Sequence, residues 1–314
     1  MNRKNNFSMV DTAEIRATLS SAPRWPAPAS MRVWLPKWGR YGVIASLLVA
    51  CASDPTKGSS VPSPKQQAAE LLKSLETGDE KPLAYINPAK YVQHNLRVAD
   101  GIEAFRKLKQ ERSAAGLRVN TIRVFQDGEH VFLHSEYFLL GKRRIGFDIF
   151  RFEAGKIVEH WDNLQDAAAN PSPSGHTMTD GPAVAIELEK TPANKSLMQA
   201  YMDDLLQGRR EKFASYYNGT RYIQHSPLVA DDLPGLFAGL QALAKQGLAV
   251  KYEKVHKILG EGNFVLVVAE GRFGTQPSSY YDLYRIEDGK IAEHWDTIEP
   301  IPARAEWNNS NGKF

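Results

Sequence analysis

Phe147-Asp148-Ile-Phe-Arg151-Phe-Glu-Ala-Gly155-Lys-Ile-Val-Glu-His160-Trp161-Asp162 returns 134 residues later as Tyr281-Asp282-Leu-Tyr-Arg285-Ile-Glu-Asp-Gly289-Lys-Ile-Ala-Glu-His294-Trp295-Asp296. Each stretch is two alternating runs about a glycine turn, the pattern of a β-hairpin. Upstream, Tyr91-Val-Gln-His94-Asn and Val98-Ala-Asp100 return as Tyr222-Ile-Gln-His225-Ser and Val229-Ala-Asp231, at an offset of 131. Order, spacing and identity agree, so the chain holds two copies of one small domain.

Working outward, each copy opens with a helical segment, Lys65 to Leu75 or Lys195 to Leu206, with apolar residues at helical spacing and Gly78 or Gly208 near its end. A short second helix leads to the Tyr-x-Gln-His strand. Asp100 and Asp231 are placed to cap the next helix, Gly101 to Ser113 or Leu233 to Lys245. Four alternating strands follow in copy one, at about 118–126, 130–140, 143–153 and 156–164, with turns at Asp127-Gly128, Gly141 and Ala154-Gly155. Helices followed by an antiparallel meander predict an α+β fold, with helices on one face of a curved sheet. The expected division is domain 1 at 67–166, a linker at 167–192, domain 2 at 193–302 and a tail at 303–314.

The N-terminus carries a different message. Residues 1–50 hold seven of the 39 Lys and Arg side chains but only Asp11 and Glu14 of the 36 acidic ones, so the rest of the chain is slightly negative. No concentrated basic face is left for nucleic acid. The basic stretch Met31 to Arg40 precedes the apolar run Val43 to Ala50, which is too short for a bilayer span and has the size of a signal-peptide core. The run ends Leu48-Val49-Ala50-Cys51, which resembles a bacterial lipobox, and Cys51 is the one cysteine. The expectation is a signal peptide within a dispensable 1–50 (start at Met31), lipidation of Cys51, a polar tether at 51–66, and attachment to the membrane of a bacterial cell envelope.

The two repeated blocks together resemble the SnoaL-like polyketide cyclase family. Its fold is the cone-shaped α+β barrel shared with ketosteroid isomerase and nuclear transport factor 2, here expected twice in tandem. The resemblance implies a base at the end of the first strand, where this chain has His94 and His225. It implies a hydrogen-bonding acid on the penultimate strand, at Asp148 and Asp282. Cyclase-like members place an acid/base pair two residues apart on the last strand, matching His160 with Asp162 and His294 with Asp296. Isomerases use a carboxylate, not a histidine, on the first strand, which disfavours steroid-type isomerisation.

Residues two apart on a strand share a face, so His160 and Asp162 project together. Two hairpin registers are open for Asp148. A two-residue turn pairs it with Trp161, as a Phe152–Ile157 cross-strand pair favours. A three-residue loop with a bulge at Gly155 pairs it with His160, and is preferred because it gathers Asp148, His160 and Asp162 on one face. In that register His94, Asp148, His160 and Asp162 surround an apolar cavity lined by Phe105, Tyr137 and Phe150, and His225, Asp282, His294 and Asp296 do so in copy two. An apolar cavity raises carboxylate pKa values and leaves imidazoles titrating near neutrality. Such a set suits proton abstraction beside a carbonyl: enolisation, aldol-type cyclisation or dehydration of a small apolar molecule, with no metal or organic cofactor. The alternatives are a non-catalytic ligand-binding or assembly module and, less favoured, a metal site of two histidines and a carboxylate. His130 and His134 have no counterpart in copy two, where Phe264 and Val268 stand, and are read as local surface or packing residues. The copies are expected to pair sheet to sheet as an intramolecular pseudo-dimer across a flexible linker, with both pockets opening away from the interface.

Overall fold

The computed structural model describes residues 61–219 and 221–314. The expected signal peptide, Cys51 and most of the expected tether lie outside the described residues.

Helix α1 (Pro64–Thr77) starts on a capping box: Ser63 Oγ accepts from the Gln66 amide while Gln66 Oε1 accepts from the Ser63 amide at 2.8 Å. Its buried residues Ala68, Leu71, Leu72 and Leu75 form one stripe, and Gly78 closes it with a positive φ of 72°. Then come β1 (Val92–Gln93), α2 (Ile102–Ala114) and the meander β2 (Arg118–Asp127), β3 (His130–Leu139), β4 (Lys142–Glu153) and β5 (Lys156–Asp166). The sheet order is β1-β5-β4-β3-β2, with β1 parallel to β5. Copy two runs α3 (Thr191–Leu206), α4 (Phe213–Tyr216), β6 (Ile223–Gln224), α5 (Asp232–Lys245), β7 (Val250–Glu261), β8 (Phe264–Phe273), β9 (Gln276–Glu287) and β10 (Lys290–Pro300). Its sheet has the matching order β6-β10-β9-β8-β7. The fold is thus α+β, with two five-stranded sheets.

Asp231 stands at the N-cap position of α5 and Gly101, not Asp100, at that of α2, but neither aspartate makes a side-chain cap bond. Each carboxylate accepts instead from the amide of the short strand, Gln93 at 2.8 Å and Gln224 at 2.9 Å. Those bonds fix β1 and β6, which are too short to hold a register alone.

The hairpin register differs from both readings of the sequence. Ala154 and Gly155 form a two-residue turn, both with positive φ, and Glu153 pairs with Lys156. Val158 is then an extra residue, because Phe152 pairs with Ile157 but Arg151 pairs with Glu159. Asp148 therefore sits opposite Asp162, not His160 or Trp161. The bulge lies inside β5 and not at Gly155, yet it still brings Asp148, His160 and Asp162 to one face. Copy two repeats this at Ala292, with Asp282 opposite Asp296.

One face of each sheet packs on its own helices. The other faces meet in a shared core: Phe125, Phe132, Phe147, Ile149 and Trp161 against Leu259, Phe264, Leu266, Tyr281, Leu283 and Trp295. Phe125 and Phe264 stack at 4.7 Å. A sheet wetted on one face would alternate in burial; β3 and β8 are buried on both faces, so burial runs unbroken through 131–135 and 264–269. Two cations close the seam, Arg123 over Trp295 at 4.4 Å and Lys257 over Trp161 at 4.0 Å.

The segments after β5 and β10 cross between the sheets. The carbonyls of Thr179, Asp180 and Pro182 accept from the buried Arg123 guanidinium, and Thr177 O lies 2.8 Å from His225 Nδ1. Reciprocally, the chain after β10 returns to copy one: the Asn308 amide donates to Leu96 O at 2.7 Å, and Gly312 O lies 2.9 Å from His94 Nδ1. The expected flexible linker is pinned by these bonds.

Candidate functional site

Gln93 pairs with His160 across the parallel β1–β5 ladder, so their side chains leave the same face. Gln93 Oε1 accepts from the Asn95 amide at 2.8 Å and lies 2.9 Å from His160 Nδ1. That oxygen can only accept, so His160 carries its proton on Nδ1 there. His160 Nε2 faces Asp148 Oδ1 at 3.2 Å, and Tyr137 donates its hydroxyl to Asp148 Oδ2. The relay Gln93–His160–Asp148–Tyr137 is buried throughout. Burial pushes the Asp148 carboxyl above the usual carboxylate range, although its bond to His160 works against that.

Asp162, on the same face of β5, is only 5 % exposed. Its Oδ2 accepts from Asn95 Nδ2 at 2.5 Å, while its Oδ1 is buried without a hydrogen-bond partner. Lys313 stands beside it, donating to the Asp162 carbonyl at 2.8 Å and to Glu299 Oε2 at 2.5 Å. Burial alone would lower Lys313, but Glu299 and Asp162 outweigh it and hold the ammonium above its ordinary value. These groups line a cavity of about 870 Å³ whose walls include Leu72, Leu75, Phe105, Leu117 and Phe150. Ile298, Pro300 and Pro302 from copy two also line it, so the cavity is completed at the seam and does not open wholly away from it.

His94 is not in this cavity. It is the next residue after Gln93, so it leaves the opposite face, where it stacks on Trp161 at 4.7 Å and bonds Glu159 Oε1 at 2.9 Å. His225 repeats the arrangement, stacked on Trp295 at 4.6 Å with Glu293 Oε1 at 2.8 Å. The expected convergence of His94 with Asp148 and His160, and of His225 with Asp282 and His294, is therefore corrected: glutamine, not histidine, comes from the first strand. His134 packs at the seam, stacked on Phe147 at 4.3 Å and 3.0 Å from the Arg123 guanidinium, in line with its reading as a packing residue.

Copy two keeps the relay with one substitution of origin. His294 lies 3.0 Å from both Gln224 Oε1 and Asp282 Oδ1, and the hydroxyl on Asp282 comes from Tyr252 at 3.1 Å. In copy one the Tyr137 ring is accommodated by Gly146, where a Cβ would come within 2.9 Å of it. The matching positions in copy two are Gly271 and Tyr280, and Tyr252 replaces Val119. Tyr252 and Tyr280 pack together at 4.7 Å over the site. Burial pushes Asp296 up to about 6, and its Oδ1 is also without a partner.

Sequence reasoning missed Gln93, Gln224, Tyr252 and Lys313. Both glutamines stood inside the repeated Tyr-x-Gln-His block, so their recurrence was the available signal. For Lys313, in what reads as a tail, nothing local signals a role.

No protein-family model matches the chain, and no curated protein matches it. Solved structures do. Wild-type IdmH from Streptomyces antibioticus, a candidate polyketide cyclase, is 19% identical with a TM-score of 0.29 over 33% of this chain and 93% of its own. An NTF2-like protein of unknown function from Cytophaga hutchinsonii is 14% identical with a TM-score of 0.29, over 34% and 93% of the two chains. An epoxide hydrolase of the LEH-like type from M. tuberculosis is 17% identical with a TM-score of 0.28, over 32% and 81%.

Proposed function

We propose that the chain is a lipid-anchored pair of cone-shaped SnoaL-like domains, joined sheet to sheet as a pseudo-dimer. In this reading the copy-one cavity moves a proton on a small apolar carbonyl compound without a cofactor. The observation that carries the catalytic reading is Asp162: a buried carboxylate oxygen with no hydrogen-bond partner, 3.6 Å from the Lys313 ammonium, in a cavity of mixed apolar and polar lining, beside a tyrosine–carboxyl–histidine relay. In this reading that Oδ1 is the base. His160 has both nitrogens engaged, so with Asp148 it is the proton-holding pair opposite. A carbonyl oxygen turning into an enolate is met there by the shared proton and by the Lys313 ammonium. Enolisation, and the aldol cyclisation or dehydration that follows from it, are the reactions such a set performs.

Ligand recovery by native mass spectrometry comes first. The recovered carbonyl compound is then incubated with protein in deuterated water, and exchange at the carbon beside the carbonyl is followed by NMR. Asp162→Asn is expected to slow that exchange by about 100-fold or more while ligand still binds, the usual size of a general-base contribution. A wild-type protein that binds the compound and catalyses no exchange would leave the second reading, a non-catalytic carrier. Copy two already leans that way, because Tyr252 and Tyr280 stand where copy one has Val119 and Gly146.

Anchoring rests on Leu48-Val49-Ala50-Cys51 following a short apolar run. Palmitate labelling that persists in Cys51→Ala would overturn it. The pseudo-dimer reading is supported by the shared core and implies one chain per particle, which light scattering of the solubilised protein tests.

A further inference from the structure

A second group of potential ligands lies away from the cavity, where the segment after β5 crosses to copy two. His176 and Asp180 are four residues apart on that segment, and His225 follows β6. One donor atom from each, together, lie within 4.8 Å of one another. Asp180 bridges the two rings, with Oδ1 2.7 Å from His225 Nδ1 and Oδ2 3.8 Å from His176 Nδ1. The imidazole centroids are 5.2 Å apart.

What lies behind the rings decides how to read this. The outer nitrogen of each faces a carboxylate: His176 Nε2 is 3.2 Å from Asp231 Oδ2, and His225 Nε2 is 2.8 Å from Glu293 Oε1. Glu293 is fixed in turn by Arg285 Nε at 2.6 Å. A histidine that donates Nε2–H to a carboxylate presents the lone pair of Nδ1 inward. At His225 that nitrogen also meets Thr177 O at 2.8 Å and Asp180 Oδ1 at 2.7 Å, both acceptors, so a positive charge, a proton or a metal ion, must lie between it and them. A carboxylate on the far nitrogen is also the usual support of a metal-bound histidine, fixing its tautomer and raising its basicity. Asp180, Asp231 and Glu293 outnumber the nearby cations Arg123 and Arg285 by one charge, leaving a modest negative balance.

We propose that His176, Asp180 and His225 bind one divalent transition-metal ion, zinc being the ion best matched to two imidazoles and one carboxylate. The His176 and Asp180 side chains are 31% and 43% exposed, so the ion has an entry path and solvent can fill a fourth position. Its role is structural: it clips the inter-copy segment onto the second sheet beside Trp295, whose Nε1 donates to Asp180 O at 2.9 Å. Copy one supplies an internal control. His94 occupies the place of His225, but the chain against it reads Asn309-Ser-Asn-Gly-Lys313, with no histidine or carboxylate to complete a set.

The test uses the full-length protein carrying Cys51→Ala, which removes the one thiol, stripped with chelator and titrated with zinc or cobalt(II). The expected result is one equivalent of zinc, a rise in Tm on binding, and a cobalt absorption spectrum of low-coordinate intensity. His176→Ala and Asp180→Ala should each weaken binding by about 100-fold or more, and Asp231→Asn by about 10-fold, as for ligands and their supports elsewhere. In chelator the His176→Ala and Asp180→Ala proteins should melt close to the parent, because Asp180→Ala leaves the backbone carbonyls held by Arg123 and Trp295 in place. Three results would each overturn the proposal: no stoichiometric binding, binding that survives both ligand substitutions, or binding lost instead with Asp162→Asn in the cavity.

Discussion

Gln93 Oε1 accepts the Nδ1 proton of His160 at 2.9 Å, and that one bond fixes which nitrogen of the buried imidazole faces Asp148. The same oxygen holds the Asn95 amide, so the glutamine ties the end of β1 to the floor of the cavity.

Gln93→Leu should therefore cost about 1–3 kcal/mol, the penalty for leaving buried donors without an acceptor. Gln93→Glu, which keeps an acceptor in place, should recover most of that. Urea denaturation compares the three; a Gln93→Leu protein as stable as the parent would mean that the bond does not organise the site.

His94→Ala and His160→Ala should separate cleanly. His94 lies on the seam face, between Trp161, Glu159 and the carbonyl of Gly312, so its loss should lower stability and loosen the C-terminal segment to proteolysis. Affinity for the cavity ligand should fall less than with His160→Ala, because His94 reaches the cavity only through the segment that carries Lys313. His160→Ala should impair ligand binding or turnover directly. Equal loss of ligand affinity in both would return His94 to the site.

Lys313→Met should be more damaging than a substitution so near the C-terminus suggests. It leaves the buried Asp162 and the half-buried Glu299 without their cation, a change worth about 3 kcal/mol. Adding Glu299→Gln should restore part of the loss. A double-mutant cycle measures the coupling, and additive effects would show that the pair is not energetically linked.

Asp296 gives a pH signature of definite sign. Its folded pKa is raised to about 6 from an ordinary 3.8, chiefly by burial, so the folded state binds its proton more tightly than the unfolded chain. Its effect on stability is then absent below pH 3.8, grows as a penalty between 3.8 and about 6, and is full above that. A rise of that size corresponds to roughly 3 kcal/mol at most. Asp296→Asn should raise the unfolding free energy at pH 7 to 8, with the gain vanishing near pH 4. Parallel pH profiles for the two proteins would contradict this.

Much of the architecture was already written in local pattern. The recurrence of Asp-x-x-Arg, Gly-Lys-Ile and Glu-His-Trp-Asp announced the two five-stranded sheets of matching strand order, and the glycine turns bounded the hairpins close to where they lie. Asp148, His160 and Asp162 share a face as the preferred reading required, although the bulge that arranges it is at Val158. A bulge changes pairing without a distinctive residue, so the turn alone could not locate it.

The repeat, the order of elements and the face of the long strands follow from residue order alone, because periodicities of 2 and 3.6 are local properties of the backbone. Which residue of Gln93-His94 enters the cavity does not. A two-residue strand has no periodicity to read, and its orientation comes from the bonds of Asp100 to its backbone and from pairing with β5. Long-range packing likewise makes Lys313 complete a cavity in the other copy and brings His176 to His225. Those meetings join residues far apart in the chain, and they are set by the burial of two apolar sheet faces against each other, not by any spacing along the sequence.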